Sequence, residues 1–366
     1  MKVLISGASI GGPVLAYWLQ QHGNYETTLV ERAAAPRKGG QAIDIRGAAL
    51  TVVEKMGVID QIRELRTTMR GMSMVDADGN EIMRSEEETL SGGRFDSPDI
   101  EIMRDDLTAI LIEASRAAGA EYVYGDSIAT LAQGPEGVDV TFESGGRARY
   151  DYVVGADGLH SNVRDLTFGH EAQFLSHLGT YVSIFTADNF LGLDHWQTWF
   201  NDGDAGGAVF SDRDAGVMRV NLGFRGEPID YDYRDVEQQK RIVQERCSGA
   251  RWEVPKLLEA MWQADDFYFD AMAQVRMEHW TKGRVALIGD AGYCASPLSG
   301  QGTSLALVGA YVLAEELGRD QVAAFDRYEE RMRPFVEQNQ ALALENPGQG
   351  ASPESVQRAA TSITLD

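Results

Sequence analysis

The chain has 366 residues, 43% hydrophobic and 24% charged, enough apolar material to bury a core in two lobes; a purely disordered or solvated protein is excluded. The formal net charge of −23 opposes phosphate backbones and acidic lipid, so no nucleic acid and no membrane surface is expected as a partner. Cys247 and Cys294 form no CxxC pair and the six histidines show no HExxH-like spacing, so neither a disulfide framework nor a metal site is expected.

Met1 leads directly into the strand-like run Val3 to Ser6, without a signal-peptide pattern, which gives a cytoplasmic expectation. Residues 2 to 31 predict strand, glycine turn, helix, strand, because Leu15, Trp18 and Leu19 recur at helical spacing between two apolar runs. Asp78-Gly79 marks a hairpin within 71 to 83, and helical periodicity returns at 105 to 118. Short strands broken at Gly134 to Gly137 and at Gly145-Gly146 precede the strand YDYVVGA. From Thr180 to Phe224 apolar and polar residues alternate between Asp/Gly-rich turns, which predicts an antiparallel sheet. Residues 233 to 263 read as helical, RVALI as a strand, and LALVGAYVLA from Leu305 as a buried helix too short to span a bilayer. A charged amphipathic helix is expected over 321 to 346, and a flexible tail over 347 to 366.

Three signatures follow apolar strands in order: GASIGG with Glu31, DYVVGADGLHSNVR ending at Arg164, and VALIGDAGYCASPLSGQGTS ending at Ser304. In the first, Gly7 permits a tight turn, Gly11 and Gly12 permit close approach, and the helix N-terminus after Ser9 and Ile10 offers free amides to a pyrophosphate, with Glu31 accepting a ribose hydroxyl. Ser9 stands where the usual fingerprint has its second glycine. In the third, Gly289 delivers Asp290 to a strand end, where a carboxylate can hold a ribityl-like hydroxyl. There Pro297, Gly300, Gly302 and Thr303 shape the approach to a helix N-terminus that stabilises negative charge at a flavin edge. In the second, Asp157-Gly158, Ser161 and Arg164 tie down a turn, either as structural anchors or against the cofactor. Several segments converging on one dinucleotide point to FAD.

The chain resembles the class A flavoprotein monooxygenases, the p-hydroxybenzoate hydroxylase family, along nearly its whole length. The resemblance rests on the glycine turn with Glu31-Arg32, the Asp157-Gly158 motif and the Gly289-Asp290 motif, in family order and spacing. It is similar to the shorter, tetracycline-inactivating type of member, which lacks an extra thioredoxin-like domain. The resemblance implies an α/β fold: a Rossmann-like FAD-binding domain (1–70, 96–170, 277–320) interleaved with an antiparallel-sheet substrate domain (71–95, 171–276), plus a C-terminal helix. It also implies that Arg46 lies near the flavin pyrophosphate and that Arg104 contacts the flavin. Two departures stand out: Gly292-Tyr293 replaces the usual Ala-His, and the acidic residue common in the next helix is absent from LALVGAY.

The implied reaction is reduction of FAD by NADPH or NADH, addition of O2 to give a flavin 4a-hydroperoxide, and hydroxylation of an aromatic or polyketide-like small molecule, by a monomer or homodimer. No side chain is assigned as a covalent catalyst; Pro297, Gly300 and Gly302 shape the flavin edge. Phe185, Trp199, Phe200, Phe210, Phe224 and Pro297 are candidates for the substrate wall, whereas Arg213, Arg219 and Asn221 read as solvated. A flavin oxidase or dehydrogenase shares these nucleotide signatures, and a catalytically silent flavin-binding sensor or carrier is a further reading that Asp290, Pro297 and GQG disfavour.

Overall fold

The structure, a computed structural model, describes residues 1–37, 39–87, 97–346 and 350–365. The positions of the expected segments at 38, 88–96, 347–349 and 366 lie outside the described residues. Two large sheets organise the chain. The first has six strands; Lys2–Ser6, Glu26–Glu31, Glu121–Tyr124, Tyr152–Gly155 and Val285–Leu287 run parallel, and Thr281–Lys282 pairs antiparallel at the edge. Its central strands read as continuous apolar runs because helices cover them: Val3, Leu4, Ile5, Val153, Val154 and Leu287 are fully buried. Helix Gly11–Gln21 packs against Arg104–Ala117 and Gly302–Arg319 in this core.

The second sheet has seven strands, from Gly71–Val75, Glu81–Ser85, Leu175–Asp188, Trp196–Asp202, Ala205–Ser211, Val217–Arg225 and Tyr268–Val275. The chain therefore leaves the first sheet at about residue 70, returns, and leaves again at 175. One face of this sheet is roofed by helices Val236–Cys247 and Val254–Gln263. Alternation assigns the residues: Phe185 pairs with Val220, and both lie in the same core cluster as Leu257 and Met261. The expectation that Phe185, Phe200 and Phe224 line a substrate wall is corrected here, because all three are buried beneath those helices. Trp199 and Phe210 fall on the other face.

The charged helix near the C-terminus is Ala324–Leu342. The tail after it is not a loose segment: Pro353–Ala360 is a helix capped by Ser352, whose Val356, Ala359 and Ala360 are buried, with Val356 and Ala359 clustering against Leu342. Asn339 Nδ2 donates to Ala359 O at 3.2 Å. Apolar periodicity in so short a run is weak in sequence, and docking supplies the stability that local propensity lacks. No helix among the described residues is long and apolar enough to cross a membrane.

Candidate functional site

The parallel strands of the first sheet end level with one another. Ser6 lies beside both Gly155 and Val30, and Gly155 lies beside Leu287, so the turns at Gly7, Asp157 and Gly289 and the carboxylate of Glu31 emerge along one edge. Ligands of open parallel sheets bind beyond this carboxyl edge. A cleft of about 420 Å³ lined by Tyr152, Thr281, Arg284 and Glu329 lies at the opposite, amino ends of these strands and gathers none of the glycine turns or their acids.

The glycines explain how the signatures close on one another. Gly7 has φ +106°, donates its N–H to Val30 O at 2.9 Å, and a Cβ there would collide with Ala156 O of the second signature. A Cβ on Gly12 would collide with Gly7 O, while one on Gly11 would lie 3.2 Å from Ile288 of the third signature. Helix Gly11–Gln21 begins after Ile10 with no side-chain cap, so its first amides are not spent on one. Glu31 spans the turn: Oε2 accepts from Ala8 N at 3.0 Å and Oε1 from Ala33 N at 2.9 Å. Ser9, the departure from the fingerprint, accepts from Arg104 Nη2 at 2.7 Å, which ties the first turn to helix Arg104–Ala117. Burial and the neighbouring Arg37 pull the Arg104 pKa down. Arg32 points elsewhere, its guanidinium 6.0 Å from the centre of the Tyr233 ring.

In the third signature Gly289 (φ +59°) starts the single turn Asp290–Tyr293, and burial raises the Asp290 carboxyl pKa. A Cβ on Gly302 would stand 3.9 Å from Asp290 Oδ1, so that carboxylate sits beside the N-terminus of the helix Gly302–Arg319. Pro297 is exposed and opens the turn Pro297–Ser299; Gly300 follows in the left-handed region, and Thr303 is buried in the first helical turn, with no side-chain cap on the helix. Arg46 N donates to Ser304 Oγ at 3.2 Å and Arg46 Nη2 to Asp44 Oδ2 at 2.8 Å, while its buried Nε has no hydrogen-bond partner. The next residue, Gly47 (φ +52°), has no room for a Cβ beside Ala360 O of the terminal helix.

The second signature behaves differently. Asp157 accepts from Ser161 Oγ at 2.5 Å, Val163 N at 3.1 Å and Ser6 Oγ at 3.2 Å, so the carboxylate expected to contact the cofactor is occupied by the protein's own donors. Arg164 is fully buried and donates to Ala291 O at 2.8 Å and Leu159 O at 2.6 Å, bolting this turn to the third signature. Tyr293 and Gly309 of the next helix prove to be fitted to each other. The Tyr293 hydroxyl meets that of Tyr328 at 2.9 Å, and a Cβ on Gly309 would collide with the Tyr293 hydroxyl, so the helix must carry glycine where the ring is large.

The sequence reading missed the polar character of the open face of the second sheet. Arg219 bonds Thr186 Oγ1 and Asp266 and approaches Asp105 at 3.8 Å; Arg213 pairs with Asp106. Both arginines thus reach to helix Arg104–Ala117; Arg219 is half-buried there, whereas Arg213 stays exposed, as expected. Asn221 Oδ1 is buried without a partner. Further along, His160 Nε2 meets Asp270 at 3.2 Å and Nδ1 meets Glu171 at 2.9 Å. Burial lowers the His160 pKa, but the bonds to these carboxylates outweigh it and raise it from 6.5 to about 9. Charged residues one face apart from an apolar row were the available signal.

The chain matches the FAD binding domain family over residues 1–343. It is 49% identical to an uncharacterised protein of Mycobacterium tuberculosis, covering 99% of this chain and 98% of that one. It is 44% identical to a flavin-dependent monooxygenase from an unknown prokaryotic organism, over 94% of this chain and 88% of the relative. The crystal structure of the tetracycline destructase Tet(51) superposes with a TM-score of 0.90 at 36% identity, covering 100% of this chain and 99% of that one. With three strand-end turns closing on one edge and these likenesses in hand, the chain belongs to the FAD-binding class A flavoprotein monooxygenases, enzymes that use FAD with NAD(P)H as the typical reductant.

Proposed function

We propose that FAD lies along the carboxyl edge of the first sheet, and that an aromatic or polyketide-like small molecule binds between it and the open face of the second sheet. The convergence of Gly7, Glu31, Asp157 and Gly289 on that edge carries the reading. In it, residues 1–70, 96–170 and 277–320 serve the cofactor and 71–95 and 171–276 the substrate. The residues fit the group: two helices begin without side-chain caps, glycines leave no bulk at the turns, and the buried Arg46 has an unspent Nε donor.

The first turn of Gly11–Gln21, with Ser9, Ile10 and Arg104, would hold the pyrophosphate, and Glu31 the adenosine ribose. Asp290 would take a ribityl hydroxyl, Arg46 a phosphate oxygen, and the Gly300, Gly302 and Thr303 turn the flavin edge beside Pro297. Asp157 would hold its turn in place, and Arg32 would steady the loop after Glu31 through Tyr233. When bound, FAD supplies electron transfer from NAD(P)H and activation of O2. The protein's part is to orient the two molecules and keep water out.

Trp199 and Phe210 would face the substrate, with Asn221 as a polar contact. The likeness to a tetracycline destructase supports a polycyclic, hydroxyl-bearing substrate. Other expected features are a cytoplasmic monomer or homodimer that engages neither nucleic acid nor membrane. The test is to purify the yellow protein and follow NADPH or NADH oxidation with tetracycline and simple phenols under O2. A product one oxygen atom heavier supports the reading; peroxide alone with every substrate overturns it.

A further inference from the structure

Three consecutive residues at the start of helix Arg104–Ala117 hold three different parts of the molecule. Arg104 Nη2 donates to Ser9 Oγ of the first glycine turn at 2.7 Å, the only hydrogen bond of its side chain among the described residues. Asp105 Oδ2 accepts from Gly39 N at 2.9 Å and lies 3.8 Å from Arg219 Nη2. Asp106 Oδ2 pairs with Arg213 Nη2. Arg219 lies on strand Val217–Arg225 of the second sheet and Arg213 in the turn before it. The residue that reaches the first glycine turn is therefore followed at once by two that the other half of the molecule grips.

The grip is fixed at its far end. Arg219 Nη1 donates to Thr186 Oγ1 and, at 3.1 Å, to Asp266 Oδ2, while Thr186 N donates to Asp266 Oδ1 at 2.9 Å. Gly39, with φ +74°, lies directly on this cluster: a Cβ there would collide with Asp266 Oδ2 and stand 3.1 Å from Arg219 Nη1. Two residues on, Gln41 O accepts from Arg104 N at 3.1 Å, which seats the first turn of the helix from the other side.

The near end is unspent. Glu31 of the first signature and Asp290 of the third both act on the charge of Arg104, so its guanidinium stands between the two carboxylates along the cofactor edge. A planar fork with free donors in that place matches a pyrophosphate. A long side chain loses rotamer freedom when a ligand fixes it, and a clamped helix start removes part of that loss before binding.

We propose that Asp105 and Asp106 are positioning residues for FAD: paired with Arg219 and Arg213, they lock the first helical turn so that Arg104 is presented to the cofactor. The second sheet thereby takes part in holding FAD through two arginines that do not touch it. The inference rests on the FAD reading above and extends it to the other half of the chain.

The test measures FAD dissociation from the loaded protein by the flavin fluorescence released on dilution. R104M should raise the Kd about 30-fold, the loss of one charged hydrogen bond. R213M/R219M should raise it about tenfold, within the range of two partly exposed ion pairs. R104M/R213M/R219M should match R104M within about twofold, because arginines that act through Arg104 then have nothing left to act on. R213K/R219K, which keeps the charges without the forks, should fall between wild type and R213M/R219M, and crossed with R104M it gives the same cycle should R213M/R219M fail to fold. D105N/D106N should weaken FAD about as much as R213M/R219M. A triple variant weakened about 300-fold, the product of independent effects, marks a plain fastener between the halves and overturns the proposal. D105N/D106N that binds FAD as tightly as wild type or more tightly also overturns it, since the arginines would then only neutralise two acids. Wild type that holds no FAD overturns the cofactor reading and the inference together, whereas tight FAD with independent effects overturns the inference alone.

Discussion

The two faces of the seven-stranded sheet carry the same alternating strands to opposite ends. Beneath the helices Val236–Cys247 and Val254–Gln263 the face is Tyr181, Phe185, Val220, Leu222 and Phe224, buried and stacked, with Tyr181 and Phe224 ring centres 5.0 Å apart. Toward the first sheet it is Thr186, Gln197, Trp199, Phe210, Arg219, Asn221, Tyr268 and Asp270. The first face holds the sheet together by excluding water; the second is held by ion pairs and hydrogen bonds that reach into the other half of the molecule. Core packing and the proposed recognition face are therefore separated by a single residue of register.

That contrast can be broken by measuring unfolding. Phe224→Ala removes a fully enclosed ring and should cost about 3–5 kcal/mol, seen as a fall in the denaturant midpoint; a cost under about 1 kcal/mol would mean the helical roof is not a packed core. On the other face the largest effect should come from His160, whose imidazole joins Asp270 of the sheet to Glu171. Its pKa in the folded protein is raised from 6.5 to about 9, so its stabilisation is fully present below 6.5 and is lost as pH rises through 9. With 19% of the side chain exposed, the pH-dependent part should be on the order of 2 kcal/mol. His160→Gln should flatten the fall in thermal midpoint across that window, and an unchanged slope would remove His160 from the junction.

Trp199→Ala should have the smallest effect on unfolding, within about 1 kcal/mol, because its ring is only partly buried and lies outside the core cluster. The KM for a hydroxylated substrate should nevertheless rise about tenfold, since an aromatic contact is lost from the open face. A large loss of stability with an unchanged KM would assign Trp199 to the core and reverse the comparison.

The proposed cofactor edge was legible because each of its signatures is local: a strand, a glycine turn and an acid or helix start lie within about a dozen residues, and the strand end fixes where the turn emerges. Even the imperfect position, Ser9, needed only a distant partner, Arg104. The substrate side was not legible. Alternation in Leu175–Asp188 and Val217–Arg225 reveals that there are two faces, but not which one a later helix will cover. Phe185, Phe200 and Phe224 were therefore assigned to a wall that they do not form. Arg219 looked solvated because its partner Asp105 stands more than a hundred residues away. The terminal helix escaped notice for the same reason, since its contacts with Leu342, Asn339 and Gly47 are all tertiary.

By itself, then, the sequence determined the class of fold, the FAD signatures and their order, because backbone conformation at glycines and apolar periodicity are encoded within short windows. Only the tertiary structure decided that Asp157 and Arg164 bolt turns together, that Gly309 makes room for Tyr293, and that Arg219 and Arg213 meet Asp105 and Asp106 beside Arg104. Each of these depends on burial and on the meeting of residues far apart in the chain. Burial raises the energetic consequence of every charge and every added methyl group, and no local pattern records where the chain will bring them together.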